Sequence, residues 1–252
     1  MIDPETTAGA PEETPEAGQE ASAAPEHAGP SRQSGIRLGQ RVLAVGNTGE
    51  GKSELLAHLY AIHRGQRLLV DVQDHYELGP DAREEDALEV ERVRDIDWRR
   101  RTIRYVPSSL SGREFDDLYR AIYERGNLLV WLDEAEDAAP VGRVPPWLKK
   151  TVKQGRKRRI THLAATQRPH GVERSIRNQS EHAFVFKLVD DDDLNEISYR
   201  IGLNARRLAA ELQALPDHGY LRHTIGERQI VAMPPLPASI IAYTRRHIVN
   251  PG

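Results

Sequence analysis

The sequence contains no cysteine among its 252 residues. A disulfide framework and a metal site built from thiolates are therefore both excluded, which fits a reducing compartment. Hydrophobic runs are also short, and none approaches the roughly 20 residues that span a bilayer. The acidic N-terminus lacks the apolar core of a signal peptide. These absences predict a cytoplasmic protein that reaches a membrane only through a partner.

Aromatic residues are scarce at 6%, but a hydrophobic fraction of 38% is enough for a sizeable core. The formal charge of −3 is unevenly distributed, because residues 1–34 hold seven acidic residues and one basic residue, whereas the remainder holds 34 basic and 31 acidic residues. Residues 1–35 have almost no large apolar side chains, so we expect a disordered acidic tail. We expect one folded domain at 36–238 and a C-terminal tail at 239–252.

A phosphate-binding loop is encoded near residue 50. The segment fits G-x-x-x-x-G-K-[ST] with the residues Gly46, Asn47, Thr48, Gly49, Glu50, Gly51, Lys52 and Ser53. An apolar strand-like segment precedes it and a helix-forming segment follows, which is the context that the motif requires. Lys52 would reach the β and γ phosphates, and the Ser53 hydroxyl would bind Mg²⁺. The motif therefore predicts a protein that binds ATP with Mg²⁺.

Strand-like and helix-like segments alternate after residue 37. Strand-like segments are found at 41–45, 67–72, 102–107, 128–132, 160–166 and 182–188, and 128–132 is a continuous apolar run typical of a buried parallel strand. Residues 80–100 are charged and irregular, which favours a surface excursion, and 220–223 with 229–233 form a hairpin pattern. This order predicts an α/β fold of the RecA-like (ASCE) P-loop NTPase class, with a mostly parallel doubly wound sheet and a C-terminal hairpin.

Two adjacent carboxylates, Asp133 and Glu134, follow the apolar run 128–132. In P-loop enzymes a carboxylate at this point holds Mg²⁺, so we assign Asp133 to the metal. A second carboxylate beside it is suited to activate the attacking water, which is the role predicted for Glu134. Gln167 ends the next strand, where its amide would contact the γ-phosphate and the attacking water and report the nucleotide state.

Residues 165–169 read ATQRP and resemble a signature of the FtsK/HerA superfamily of DNA-pumping ATPases. Residues 154–160 are similar to that family's "GR-K-x-G-I" segment, and the resemblance covers most of 40–233 in the family's motif order. It implies a ring, usually a homohexamer, with ATP between neighbouring subunits. It also implies an arginine finger that enters the neighbour's site, and Arg156 matches its position.

The chain departs from the family pattern at two places. Family members commonly have Asp-Pro-Lys after the second strand, whereas this chain has Asp71, Val72, Gln73 and Asp74. The roles of Asp71 and Asp74 therefore stay open. Arg159 stands where a glycine is usual.

The layout without accessory domains is similar to the genome-packaging ATPases of tailless internal-membrane viruses. That similarity implies a motor that pumps DNA into a preformed capsid in the host cytoplasm, with capsid or membrane-vertex proteins as partners. Plasmid-transfer motors and filamentous-phage assembly ATPases share the core and remain alternatives. So does a nucleotide-dependent assembly protein that does not move DNA.

A basic cluster lies on the helix predicted from about Pro146 to Arg159, just before the ATQRP strand. Its members are Lys149, Lys150, Lys153, Arg156, Lys157, Arg158 and Arg159. We expect Lys149, Lys153, Lys157 and Arg158 to contact the phosphates of double-stranded DNA without reading its sequence. A solvated helix face or a subunit interface would explain the same pattern.

Four consecutive aspartates occupy 190–193. They favour the N-terminal cap of a helix that begins near Leu194, because carboxylates stabilise the positive end of a helix dipole. The ten histidines are scattered and show no spacing typical of a metal pair, so none is assigned a site.

Overall fold

Strands from across the chain form one large sheet and one small one. In the computed structural model, which describes residues 36–84, 86–227 and 229–250, the strands are β1 (Arg41–Val45), β2 (Gln66–Val70), β3 (Glu77–Leu78), β4 (Ala87–Val90), β5 (Thr102–Tyr105), β6 (Leu128–Leu132), β7 (Thr161–Thr166), β8 (His182–Val185), β9 (Tyr220–Thr224), β10 (Val231–Met233) and β11 (Ile248–Val249). The order in the main sheet is β10-β9-β8-β1-β7-β6-β2-β5-β4, and β3 pairs with β11. The expected acidic tail at 1–35 lies outside the described residues.

The main sheet is parallel from β8 through β4. The strand β9 then runs antiparallel to β8, and β10 runs antiparallel to β9. This arrangement confirms the predicted mostly parallel sheet with a C-terminal hairpin. Because parallel strands end at the same edge of a sheet, the loops after β1, β2, β6 and β7 meet there.

The helices begin and end at residues that explain their limits. They are α1 (Lys52–Ala61), α2 (Pro80–Glu84), α3 (Gly112–Arg125), α4 (Ala135–Ala138), α5 (Pro146–Gln154), α6 (Arg174–Gln179), α7 (Asp191–Ile201), α8 (Ala205–Gln213) and α9 (Ala238–Arg245). The Ser111 side chain accepts from the N–H of Glu114 at the start of α3, and Gly126 ends that helix with positive φ. Asp190 accepts two N–H groups at the start of α7, as the aspartate run predicted.

Two apolar layers cover the main sheet, one on each face. Alternate residues of β1 show the division: Leu43 and Val45 belong to the cluster under α3, α5, α7 and α8, whereas Val42 and Ala44 belong to the cluster under α1. Helices on both faces explain why the central strands are apolar on both sides. The doubly wound α/β architecture is thereby confirmed.

Three segments differ from the sequence expectation. Residues 80–100 contain α2 and the edge strand β4, which pairs in parallel with β5. The helix predicted to reach Arg159 ends at Gln154, and a 3₁₀ turn (Gly155–Arg158) follows. The segment expected to be a tail from 239 instead carries α9 and β11, and β11 pairs with β3 through Ile248 and Leu78.

Among the helices of the described ranges, none combines the length and apolar composition that crossing a bilayer requires.

Candidate functional site

The phosphate-binding loop joins β1 to α1 at the carboxyl edge of the main sheet. Gly46 must be glycine, because a Cβ there would lie 2.5 Å from the Cβ of Phe186. Gly51 caps α1 with φ of 100°, a left-handed conformation that favours glycine. The loop therefore presents the N-terminus of a ten-residue helix, where unpaired N–H groups attract anions.

Lys52 lies in the first turn of α1 and is buried. Its ammonium donates to the carbonyl oxygen of Asn47 at 2.7 Å. Burial lowers the pKa of Lys52, and the nearby charges of Glu134 and Asp133 oppose that change. The loop thus holds a partly desolvated cation beside two carboxylates, a position from which it can meet a phosphate.

Asp133 ends the buried strand β6 and is 5% exposed. Its Oδ2 accepts a hydrogen bond from the Tyr76 hydroxyl at 3.0 Å, and that hydroxyl also bonds the Ser53 side chain. Burial, assisted by the charge of Glu134, raises the pKa of Asp133 to about 7. Tyr76 therefore links the two side chains that the sequence assigned to Mg²⁺, although no motif predicted it.

The Glu134 carboxylate is joined to the phosphate loop through one amide. Gln167 Nε2 donates to Glu134 Oε1 at 2.7 Å, while the Thr48 hydroxyl donates to Gln167 Oε1 at 2.5 Å. Glu134 itself has φ of 49°, a left-handed conformation that is costly for a residue with a Cβ. Strained residues cluster at functional sites, and this one turns the chain from β6 into α4 beside the loop.

A third carboxylate, that of Glu136, forms a hydrogen bond with the backbone of Gln167. Glu136 Oε1 accepts from the backbone N–H of Gln167 at 3.0 Å. Burial raises the pKa of Glu136. The sequence offered no reason to single out Glu136, because it acts on the backbone of a residue 31 positions away.

Asp71 is a structural residue in this fold. It is fully buried and accepts from the N–H groups of His75 and Tyr76, both at 2.9 Å. Its Oδ2 also accepts from Arg104 Nη2 at 2.6 Å, and Arg104 forms a further ion pair with Asp74. The turn after β2 is thereby fixed, and it carries Tyr76 to Asp133. These contacts account for the two aspartates whose roles the sequence left open.

Most residues predicted for the nucleotide, the metal and catalysis meet at one pocket of about 740 Å³, although Gly46, Asn47, Glu50 and Arg156 are not among its described lining residues. Of the predicted residues, Thr48, Gly49, Gly51, Lys52, Ser53, Asp133, Glu134 and Gln167 line it. Sequence reasoning missed other lining residues, namely His75, Tyr76 and His218, and the C-terminal Ile241, Thr244, Arg245, Ile248 and Asn250. Ordinary pocket volumes for small ligands and cofactors span about 300–1,000 Å³.

Arg156 lies at the opposite, amino edge of the sheet. Its backbone approaches Gly39, just before β1, and its Nη1 lies 4.0 Å from Glu181 Oε1, just before β8. The side chain is 74% exposed. Arg156 therefore does not enter the pocket of its own chain.

Some side chains of the basic cluster have partners within the chain, and several members of the cluster are exposed. Lys149 lies 3.3 Å from Glu173, and Lys150 sits over the Trp147 ring. Arg158 donates to the carbonyl oxygens of Tyr123 and Glu124. The exposed basic residues of the cluster are Lys153, Arg156, Lys157, Arg158 and Arg159.

One residue of the aspartate run, Asp193, contacts His170. The ring Nδ1 of His170 lies 2.7 Å from Asp193 Oδ1, and that oxygen accepts from the His170 N–H. These contacts pin the loop after β7 to α7, which is a structural role.

The α/β fold, with the phosphate-binding loop between β1 and α1, is the fold of the P-loop NTPases. Among solved structures, the chain is similar to the genome-packaging NTPase B204 of Sulfolobus turreted icosahedral virus 2 with ATPγS, at 17% identity and TM-score 0.67, over 80% of this chain and 100% of that one. It is also similar to VirB4 of Thermoanaerobacter pseudethanolicus, at 11% identity and TM-score 0.60, over 80% and 91%. The pCW3 conjugation coupling protein TcpA with ATPγS matches at 15% identity and TM-score 0.54, over 79% and 61%.

No protein-family model matches the sequence, and no curated protein is significantly similar to it. At these identities the structural similarity establishes the fold. The predicted α/β fold of the P-loop class is thereby confirmed.

Proposed function

We propose that this chain is a Mg²⁺-dependent ATPase whose hydrolysis of ATP drives DNA movement, and that this movement packages a viral genome. The observation that carries the proposal is the pocket in which the phosphate loop faces Asp133, Glu134 and Gln167. The similarity to B204, a genome-packaging NTPase, covers the whole of that protein and supports the packaging branch.

The residues of the pocket fit ATP with Mg²⁺. A helix N-terminus and a buried lysine suit the phosphates. A buried carboxyl with a raised pKa, beside a hydroxyl and a second carboxylate, provides the oxygen donors that Mg²⁺ prefers. Ser53 and Asp133 would hold the metal, which when bound neutralises charge on the phosphates.

Glu134 and Gln167 would each have a separate role toward the attacking water. Glu134 takes the proton as general base. Gln167 already bonds Glu134 and Thr48, so a change at the phosphate loop can reach the base through a single amide. Gln167 is therefore placed to couple the state of the nucleotide to the position of the base.

Arg156 would act on the site of a neighbouring subunit. Its position at the amino edge, away from its own pocket, supports a role in trans within a ring, for which we propose a homohexamer. A guanidinium that enters from the neighbour would stabilise charge developing on the γ-phosphate.

DNA would contact the exposed part of the basic cluster. Lys153 and Lys157 are the better candidates, whereas Lys149 pairs with Glu173 and Arg158 is tied to α3 by two hydrogen bonds. Contacts of this kind are to backbone phosphates and weaken steeply with salt. Capsid or membrane-vertex proteins and a cytoplasmic location belong to the same proposal.

The test is steady-state ATP hydrolysis with and without linear duplex DNA, at low and moderate salt. We expect DNA to stimulate turnover and the stimulation to fade as salt rises. Turnover that is indifferent to DNA would contradict the motor and favour an assembly ATPase. Lys153→Glu with Lys157→Glu should remove the stimulation, whereas Arg94→Glu, an exposed arginine outside the cluster, should preserve it.

A further inference from the structure

The pocket extends beyond the residues that would hold phosphates. Gly51, Glu54 and Ala57 all line it, and their spacing places them on one face of α1. At about 1.5 Å per residue, this face carries the pocket roughly 9 Å along the helix from the phosphate loop. The charged side chains that line this part of the pocket are Glu54 and Arg245, which lie 3.9 Å apart and offset one another.

The opposite wall comes from the C-terminal strap, by which we mean residues 238–250. Ile241 and Thr244 of α9 and Ile248 of β11 line the pocket. The strap rests on α1, since Thr244 Oγ1 lies 3.4 Å from His58 Nδ1. Apolar side chains with a few polar groups between them are the usual lining for a heteroaromatic ring and its sugar.

The C-terminal strap is clamped to the loop that follows Tyr76. The N–H of Gly79 donates to the His247 carbonyl at 2.9 Å, and the N–H of Asp81 donates to the Arg246 carbonyl at 2.8 Å. A Cβ at Gly79 would lie 2.4 Å from the Arg246 carbonyl oxygen, so this approach requires glycine. The C-terminal strap is therefore held in place as one wall of the pocket, and it is joined to the turn that carries Tyr76 to Asp133.

We propose that the C-terminal strap forms the nucleoside subsite, with Ile241 and Ala57 against the base or ribose of ATP. The inference rests on the proposed function, because it places the other half of the same ligand. The phosphate loop fixes where the triphosphate lies, and the pocket leads from there to the strap. The apolar side chain of Ile241 then contributes to affinity for the nucleoside and makes no contribution to affinity for phosphate.

The test compares two ligands on two neighbouring variants. Ile241 is half-buried and lines the pocket, whereas Ile240 is half-buried, precedes it on α9 and is not among the described lining residues. Binding of ATP and of inorganic tripolyphosphate is measured calorimetrically for the wild type, Ile241→Ala and Ile240→Ala. We expect Ile241→Ala to weaken ATP about tenfold, given the value of buried methylene groups. Tripolyphosphate affinity should not change, and Ile240→Ala should leave both affinities unchanged.

Failure of the subsite and failure of the proposed function give different results. Unchanged ATP affinity in Ile241→Ala, or equal weakening of both ligands, overturns the nucleoside subsite but leaves nucleotide binding intact. A wild type that binds neither ligand overturns the proposed function, and the subsite with it. Hydrogen exchange on the wild type gives a second readout without mutation. ATP should protect the amides of 238–250 more than tripolyphosphate does, and equal protection would contradict the subsite.

Discussion

The predicted functional side chains at the carboxyl edge of the main sheet differ in exposure from the one at its amino edge. At the carboxyl edge, Lys52 and Asp133 are buried and Glu134 is half-buried, and all three form hydrogen bonds within the chain. At the amino edge, Arg156 is 74% exposed and reaches Glu181 only at 4.0 Å. An enclosed group is positioned by its own fold, whereas an exposed one acquires its position from what binds it. The comparison suggests one edge that binds nucleotide and another that acts on a partner.

The largest expected effect comes from the proposed base at the carboxyl edge. Glu134→Gln keeps the shape and the acceptor for Gln167 but removes the proton acceptor. We expect kcat for ATP hydrolysis to fall at least about 100-fold while ATP affinity stays within a few-fold. Glu136→Gln is the matched control, since it retains an acceptor for the Gln167 N–H, and it should lose less than about tenfold. Normal turnover in Glu134→Gln would show that the base lies elsewhere.

Tyr76→Phe tests whether the carboxyl edge is prearranged for the metal. The change removes the hydroxyl that bonds Asp133 and Ser53 but keeps the ring packed against Trp131. Loss of such a supporting contact typically costs 10–100-fold in metal affinity. We expect the Mg²⁺ concentration for half-maximal binding of a fluorescent ATP analogue to rise about tenfold.

Tyr105→Phe serves as the control for Tyr76→Phe. It removes a hydroxyl that bonds Glu114, outside the residues that line the pocket. Its Mg²⁺ dependence should match the wild type. An equal shift in both variants, or in neither, would remove Tyr76 from the proposed metal arrangement.

A smaller effect concerns stability near the amino edge. Burial lowers the pKa of His162 to about 4 from its ordinary 6.5, and its Nε2 lies 3.0 Å from the Tyr119 hydroxyl. Between these two pKa values, the unfolded chain therefore binds a proton at His162 and the folded chain does not. This cost is absent above pH 6.5 and grows as the pH falls toward 4, reaching about 2 kcal/mol at pH 5.

His162→Gln is the variant that isolates this cost. Urea unfolding at pH 7.5 and pH 5 should show that the free energy of unfolding falls by about 2 kcal/mol less in the variant than in the wild type. The comparison cancels the other titrating groups. Equal losses would mean that His162 is protonated in the folded state.

The smallest expected effect is at Arg159, which has φ of 57° and ψ of 37°. A residue with a Cβ is strained in this left-handed conformation, so Arg159→Gly should raise the free energy of unfolding by about 0.5–1 kcal/mol. Lys157→Gly, in the right-handed turn before it, should lower that free energy. A gain in the second variant or a loss in the first would contradict this explanation.

Local motifs made part of this protein predictable. The phosphate loop is contiguous, and Asp133 and Gln167 each follow an apolar strand, so strand order alone brings them to one edge. The apolar runs also predicted the main strands. These features depend on residues close in sequence or on the rule that parallel strands share an edge.

Features formed by distant short segments were not predictable. Tyr76 reaches Asp133 across 57 positions, and no spacing pattern indicates such a pair. The strands β3 and β11 have two residues each and become strands only by pairing with one another. The strand β4 is short and contains a charged residue, Glu89. This residue pairs with Arg104 at the lateral edge of the sheet. Asp71 gave no sign of its structural role, since its partners are two backbone N–H groups and the side chain of Arg104, 33 positions away.

The central claim is that the two edges complete one site across a subunit boundary. ATP hydrolysis is measured for Arg156→Ala alone, for Lys52→Ala alone and for mixtures of the two proteins. Each variant should be nearly inactive alone, because one lacks the finger and the other lacks the phosphate lysine. We expect ATP hydrolysis to recover in mixtures, where the intact pocket of one subunit meets the intact Arg156 of another. No recovery at any ratio, with both proteins folded and assembling, would contradict it.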